Sequence, residues 1–162
     1  MAISDRDAAG LRLAIALARQ SRGHGNHPFG ALLVDAAGQT LLAAENSVVT
    51  GRDPTGHAEL NLIRGAGWKT PPEVLRTSTL YTSGEPCPMC AGAIVWGNVR
   101  RVVYGLGMEA LYAVIGPGDG DVPGLRLGSR AVFASAPYPI EVLGPALEDE
   151  ARAVHEGFWV PR

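Results

Sequence analysis

The apolar positions of this chain follow two alternating patterns, one typical of helices and one typical of strands. Near the amino terminus, apolar residues recur at helical spacing, at Leu11, Ala14, Ile15 and Ala18. Other segments are short apolar runs bounded by turn residues, as strands are. The patterns predict helices over 4–22, 58–64, 88–96 and 145–156, and strands over 29–34, 40–44, 79–83, 101–104 and 140–143. This alternation of strands and helices predicts a layered α/β domain.

Two of the connections carry further information. The turn at 35–38 contains aspartate and glycine and favours a hairpin between the first two strands. Between Gly105 and Gly128, glycine and proline are dense and periodicity is poor, so we expect a loop with one turn of helix near 109–114. We expect this loop to select the substrate, because loops commonly carry specificity. The chain contains no internal repeat or linker, so one domain is predicted over residues 1–162.

Composition narrows the class of protein. The net charge is −2 and Lys69 is the single lysine, which argues against broad electrostatic capture of nucleic acid. Two cysteines three positions apart do not form a disulfide framework. The first residues lack the cationic and apolar regions of a signal peptide, and no apolar run approaches the roughly 18 residues that span a bilayer. We therefore expect a reduced, cytoplasmic protein with no membrane partner.

The strongest chemical signal is a pair of short motifs 30 positions apart. The first is His57-Ala58-Glu59, and the second is Pro86-Cys87-Pro88-Met89-Cys90. His57, Cys87 and Cys90 are candidate zinc ligands, and three ligands leave a fourth position open, as in catalytic sites. Cys87 and Cys90 share one helical turn, and a helix N-terminus favours their thiolates. Glu59 is not a ligand but lies close enough to the metal to move protons.

Three other interpretations of these motifs are open. A structural zinc site needs a fourth ligand, and the only candidates are His24, His27 and His155. A redox C-x-x-C pair leaves His57-Ala58-Glu59 unexplained. The presence of Glu59 also counts against a non-catalytic zinc scaffold. The catalytic interpretation accounts for all of the residues.

The order H-x-E followed by P-C-x-x-C is the signature of zinc-dependent base deaminases. The chain resembles the cytidine deaminase-like superfamily, and most closely its branch of bacterial guanine deaminases and tRNA-specific adenosine deaminases. The resemblance covers about half of the chain, from Pro28-Phe29-Gly30-Ala31 to Val103-Tyr104-Gly105. It implies a three-layer α/β/α sandwich around a five-stranded mixed sheet, a Zn²⁺ cofactor and a homodimer.

The resemblance also implies residues that bind the substrate. Phe29 would stack on the base, and Asn46 and the backbone of Ala58 would hydrogen-bond it. Trp96 stands where guanine deaminase-like members carry a tryptophan in the pocket. Each has a structural alternative: Phe29 and Trp96 as packing residues, and Asn46 as a turn residue.

The resemblance further implies a second catalytic acid after the last shared strand. Asp119 is the nearest match, Asp121 is the next, and Glu109 is a third candidate; a solvated aspartate turn is the alternative. The C-terminal pair Phe158-Trp159 is expected either to close an active site, its own or a partner's, or to pack on its own core.

These inferences predict a zinc-dependent aminohydrolase that acts on an amino-substituted heterocycle, with guanine first. Zinc-bound hydroxide would add to the carbon that bears the amine, Glu59 would relay protons, and ammonia would leave. One alternative is a tRNA-specific adenosine deaminase, which the acidic run Glu148-Asp149-Glu150 disfavours. The others are deaminases of cytosine, guanosine or a triazine. The expected partner is a small-molecule base or nucleoside rather than nucleic acid.

Overall fold

A five-stranded mixed sheet organises the computed structural model, which describes residues 3–67, 69–116 and 124–159. The strands are β1 (Gly30–Val34), β2 (Thr40–Glu45), β3 (Thr79–Gly84), β4 (Arg101–Leu106) and β5 (Glu141–Leu143). Their order is β2-β1-β3-β4-β5. β1 is antiparallel to both β2 and β3, whereas β3, β4 and β5 are parallel. The predicted hairpin between the first two strands is present.

Helices cover both faces of the sheet. They are α1 (Asp5–Gly23), α2 (Ala58–Gly67), α3 (Pro72–Thr77), α4 (Pro88–Trp96), α5 (Met108–Ile115), α6 (Ser129–Phe133) and α7 (Glu148–Arg152). One apolar core joins α1, α5 and α7 to one face, and a second joins α2, α3, α4 and α6 to the other. This arrangement confirms the three-layer α/β/α sandwich. Among the described residues, no helix is long and apolar enough to cross a membrane.

Alternation along the central strands divides their side chains between the two cores. In β1, Leu32 packs with the α1 layer and Leu33 with the α2 layer. All five residues of β1 are buried, because the strand is central and covered on both faces. The continuous apolar run at this point of the sequence reflects that double burial.

The carboxyl ends of β3 and β4 lie side by side, with Gly84 paired to Leu106. The chain leaving β3 runs through Glu85 to Cys87, and the chain leaving β4 enters α5. Ligands of open α/β sheets bind outside the carboxyl ends of the strands. This sheet therefore presents the cysteine motif at the edge where such sites occur.

Several predicted boundaries were wrong. The last helix was predicted over 145–156 but spans Glu148–Arg152; it starts later than predicted because Leu147 has a left-handed backbone (φ 50°) that a helix does not continue through. α5 has eight residues rather than one turn. The short helices α3 and α6 were not predicted, because five or six residues are too few to show a helical period.

A buried carboxylate ties α1 to the sheet. Asp7 is 4% exposed and accepts two hydrogen bonds from Arg101, at 2.7 and 3.1 Å, and one from the Tyr81 hydroxyl at 3.0 Å. It also forms a capping box with Ser4. The bonds from Arg101, and then those from Ser4 and Tyr81, hold the pKa of Asp7 well below its usual range. Its charged form therefore stabilises the folded state.

We predict that Asp7→Asn lowers the free energy of unfolding by about 2–3 kcal/mol at pH 7, because Arg101 loses a charged partner. In the unfolded chain Asp7 takes up a proton near pH 4, whereas in the folded chain it resists protonation. Its contribution is thus complete above pH 5 and is lost as the pH falls further. Urea unfolding between pH 7 and pH 2.5 measures both effects.

Asp5→Asn is the matched control, since Asp5 is an exposed aspartate in the same helical turn. It should cost at most about 0.5 kcal/mol and leave the acid dependence intact. Equal effects of the two substitutions on the pH profile would contradict the assignment.

Candidate metal centre and active site

Three side chains converge at the carboxyl edge of the sheet. One ligand atom each from His57, Cys87 and Cys90 lies within 4.8 Å of the others. His57 Nδ1 is 3.6 Å from Cys87 Sγ and 3.7 Å from Cys90 Sγ. With zinc bonds of about 2.3 Å to sulfur and about 2.1 Å to nitrogen, a tetrahedral angle separates N from S by about 3.6 Å. The three residues therefore fit a zinc ion.

Local sequence explains this convergence. Cys87 is the N-cap of α4, with Pro88 at the first helical position, and Cys90 lies in the first turn. His57 directly precedes α2. Two helix N-termini thus point at one place, and their positive dipole ends favour thiolate ligands. Among the described residues, His24, His27 and His155 do not belong to the cluster, which argues against a structural site with a fourth protein ligand.

The pKa values of the two cysteines are shifted in opposite directions in the metal-free chain. Hydrogen bonds from Cys90 and His57 lower the pKa of Cys87 to about 4, although its burial acts against this. The neighbouring Cys87 raises the pKa of Cys90, and so does burial. His57 has a raised pKa, chiefly because of its hydrogen bond with Cys87. A bound cation would lower the pKa of Cys90 again, since it would stabilise both thiolates.

Glu59 lies in the first turn of α2 and is 5% exposed. Its Oε1 accepts a 2.6 Å hydrogen bond from Thr82 Oγ1 on β3. Burial raises the pKa of Glu59, while the Thr82 bond opposes that rise. A buried carboxyl with a raised pKa is suited to take and return protons. Thr82 was not predicted from the sequence, where it is one of several hydroxyl-bearing residues in β3 and nothing distinguishes it from Thr79 or Ser83.

Asn46 and His57 begin and end one closed loop. Ser47 N–H donates to Gly56 O at 2.7 Å. The Asn61 amide bridges the two sides of the loop, donating to Ser47 Oγ and to Glu45 O at 2.9 Å each. Gly56 has no room for a side chain, because a Cβ there would lie 2.7 Å from Ser47 Oγ. The role of Asn61 was not predicted from the sequence, because it depends on this closure.

Asn46 is buried and forms a turn. Its backbone N–H donates to Phe29 O, and its Oδ1 accepts from Val48 N–H, both at 3.0 Å. The side-chain oxygen of Asn46 therefore has the turn-forming role that was the structural alternative for this residue. Its Nδ2 forms no hydrogen bond to another described residue, so this group is the one available to a ligand.

Phe29 lies between the sheet edge and the C-terminal segment. Its ring packs over Gly84, where an added Cβ would lie 3.3 Å away. The ring of His155 also lies close to that of Phe29, in an edge-on arrangement with the centroids 5.1 Å apart. His27 and the C-terminal Phe158 and Trp159 complete what we call the aromatic cluster: His27, Phe29, His155, Phe158 and Trp159.

The C-terminal segment is held to its own chain. Arg22 donates to the carbonyls of Val154 and Glu156 at 2.8 Å each. Trp159 Nε1 donates to His155 Nδ1 at 3.2 Å. Burial, and then the charge of Arg22, lower the pKa of His155 to about 4, so that this acceptor nitrogen is unprotonated at neutral pH. Phe158 and Trp159 therefore pack on their own chain beside Phe29.

The other predicted residues are more scattered. Ala58 is fully buried at the start of α2. Trp96 is 92% exposed at the end of α4 away from the cysteines, so a pocket role would require another molecule; that role and the homodimer stay predictions. Glu109 is exposed on α5. Asp119 and Asp121 lie outside the described residues, and their role as second acid stays a prediction.

Comparison with known proteins agrees with this geometry. Residues 4–106 match the family model described as the cytidine and deoxycytidylate deaminase zinc-binding region. A probable cytosine deaminase from Schizosaccharomyces pombe is 44% identical over 157 residues, covering 97% of this chain and 94% of that protein. A tRNA-specific adenosine deaminase from Haemophilus influenzae is 38% identical over 102 residues, covering 63% of this chain and 59% of that protein.

The fold also matches solved structures. A guanine deaminase from Nitrosomonas europaea superposes with a TM-score of 0.76 at 25% identity, covering 98% of this chain and 86% of that one. The family model includes all three metal ligands and Glu59, and it spans more than half of the sequence. The chain therefore belongs to the cytidine and deoxycytidylate deaminase family, as a zinc-dependent hydrolytic deaminase.

Proposed function

We propose that this deaminase acts on a free nucleobase, with cytosine as the preferred substrate. The observation that carries the proposal is the match to the probable cytosine deaminase, which is 44% identical over 97% of this chain. That extent includes the metal motifs together with nearly all of the flanking sequence. Guanine, the base placed first by the sequence resemblance, becomes the second candidate.

The residues around the metal support this chemistry. Bound zinc supplies a Lewis acid that makes water nucleophilic at neutral pH. The water oxygen bonds to the carbon that bears the amine, and the C–N bond breaks to release ammonia. Glu59 would take one proton from the water and give it to the ring nitrogen, and would then take the second proton from the newly bound hydroxyl and give it to the leaving amine. Thr82 holds Glu59 Oε1 at 2.6 Å and so fixes its position.

Three groups would hold the base. Phe29 offers a ring face for stacking, and Asn46 Nδ2 offers a donor to a ring carbonyl. Ala58 opens α2, so its backbone N–H has no acceptor within the helix and is free to bind a ligand. A flat ring in which one ring nitrogen separates the carbonyl carbon from the carbon that bears the amine, as in cytosine and guanine, matches this set of groups.

The aromatic cluster supports a small ring. His27, His155 and Trp159 pack around Phe29, with His27 and Trp159 ring centroids 5.2 Å apart. We infer that these side chains restrict the space beside the stacking face and so favour a single ring over a fused pair. Guanine is retained because a guanine deaminase shares the fold at a TM-score of 0.76.

A tRNA substrate is less favoured. The net charge is −2 with a single lysine, whereas a protein that binds RNA places basic residues along the phosphate backbone. The match to the tRNA-specific enzyme spans 102 residues, which is shorter than the stretch from His27 to Trp159. It therefore does not cover the whole aromatic cluster.

Ammonia release by the zinc-loaded protein tests the proposed substrate. The panel is cytosine, guanine, cytidine, the triazine ammeline and an RNA anticodon stem with adenosine at position 34. We expect cytosine to have the highest kcat/KM and the RNA to give no ammonia. Turnover of guanine alone would make the second candidate correct, and turnover of the RNA alone would overturn both.

Removing the indole of Trp159 should relax selection by ring size. We expect Trp159→Ala to shift the ratio of kcat/KM for cytosine to that for guanine by about tenfold toward guanine. Trp159→Phe keeps an aromatic ring and should leave the ratio within about threefold of the unchanged protein. Equal ratios for all three proteins would show that the cluster does not select the ring.

The proton relay predicts that activity and metal binding separate at Glu59. Glu59→Gln should retain one zinc per chain and lose about a hundredfold to ten-thousandfold in kcat. Cys90→Ala is the contrasting variant and should lose zinc as well as activity, because Cys90 is a ligand. Zinc content by mass spectrometry and steady-state kinetics measure the two effects. A fully active Glu59→Gln protein would refute the relay.

A further inference from the structure

The carboxylate of Glu85 accepts hydrogen bonds from the first residues of two different helices. Its Oε2 accepts from Met108 N–H at 3.0 Å, at the start of α5. Its Oε1 accepts from Ser129 N–H at 2.8 Å and from Ser129 Oγ–H at 2.9 Å, at the start of α6. These helices are 13 residues apart along the chain and are joined here by one side chain.

Neither helix has a side-chain cap of its own. Gly107 and Gly128 are the N-cap residues of α5 and α6, and glycine has no side chain to accept the free N–H groups of a first turn. A side chain at position 128 would also crowd the Glu85 carboxylate, since its Cβ would lie 3.3 Å from Glu85 Oε1. Glu85 thus replaces both missing caps, with the negative charge that a helix N-terminus favours.

The two helices belong to opposite faces of the sheet. Ala110 and Leu111 of α5 pack against the core that contains α1, whereas Phe133 of α6 belongs to the core that contains α2 and α4. Glu85 lies at the carboxyl edge between them, and its own N–H donates to Leu106 O at 2.8 Å. One residue therefore fixes both layers to the end of β4.

Glu85 is also a direct neighbour of the reaction centre. Gly84, the residue before it, supports the ring of Phe29. Cys87, two residues after it, is a metal ligand. Any shift of α5 or α6 relative to Glu85 is consequently a shift relative to the stacking ring and the metal.

We propose that Glu85 is a positioning residue for the deamination reaction: by capping α5 and α6 it sets where both helices stand relative to Phe29 and Cys87, and so controls how the base binds. The inference rests on the proposed deaminase function. Glu85 is not a metal ligand and takes no part in proton transfer. Its effect is on substrate binding, which depends on groups held within a fraction of an ångström.

Glu85→Ala tests the proposal through two independent measurements. Hydrogen exchange, which needs no substrate, should show the Met108 and Ser129 amides exchanging at least about tenfold faster. Steady-state kinetics on the preferred base should show KM raised about tenfold, with kcat within about threefold and zinc content unchanged. A purely stabilising role would lower the melting temperature and leave KM of the folded enzyme unchanged.

Two further variants refine the test. Glu85→Gln keeps one acceptor oxygen and should restore part of the KM change, and it serves if the alanine variant does not fold. Glu73→Ala is the matched control, since Glu73 is an exposed carboxylate in the first turn of α3 and should change neither measurement.

Unchanged exchange at both amides would show that Glu85 does not cap the two helices. Faster exchange with an unchanged KM would show that this capping has no role in substrate binding. If the unmodified protein deaminates none of the bases, the proposed function fails and the substrate-binding role fails with it. The exchange data would still show whether Glu85 holds the two helices.

Discussion

The structure depends on bringing one imidazole nitrogen and two sulfurs within bonding distance of a single ion. His57 and the two cysteines belong to different segments, so the ligands meet only because α2 and α4 begin at the same edge of the sheet, where one apolar core packs them together. The Nδ1 to Sγ distances of 3.6 and 3.7 Å match a tetrahedral zinc centre. Glu59 lies two residues after His57, in the first turn of α2, and Thr82 of β3 donates a hydrogen bond to its carboxyl group. The metal ligands and the proton carrier are thus positioned by the same elements.

Two carboxylates at opposite ends of the β3–β4 pair have different roles, one in stability and one in positioning the proposed active site. Asp7 binds Arg101 at the amino end of β4 and Tyr81 on β3, and so fixes α1 to the sheet. Glu85 lies at the carboxyl end and joins α5 and α6 beside the cysteine motif. Both act through charge-assisted hydrogen bonds, which are stronger than neutral ones. Asp7 lies away from the metal ligands, whereas Glu85 lies two residues before the ligand Cys87.

The proposed substrate site combines the metal-binding motifs with an aromatic boundary. The metal ligands and Glu59 belong to the motifs that place the chain among the hydrolytic deaminases. The aromatic cluster then limits the space around Phe29, and it includes residues from both ends of the chain. Arg22 holds the C-terminal segment by two backbone carbonyls, so α1 contributes to that boundary as well. Under the proposed function, selection of the ring therefore depends on contacts that lie far apart in sequence.

The sequence by itself determined the strands, the longer helices, the three metal ligands and the membership of the deaminase family. These features are local, since hydrophobic period and the spacing of two short motifs are written in neighbouring residues. Only the tertiary structure decided the roles of Thr82, Asn61 and Glu85, because each acts through partners brought near by folding. It also showed that Trp96 is exposed and that Phe158 and Trp159 pack on their own chain. Such contacts depend on the path of the whole chain, which no local pattern specifies.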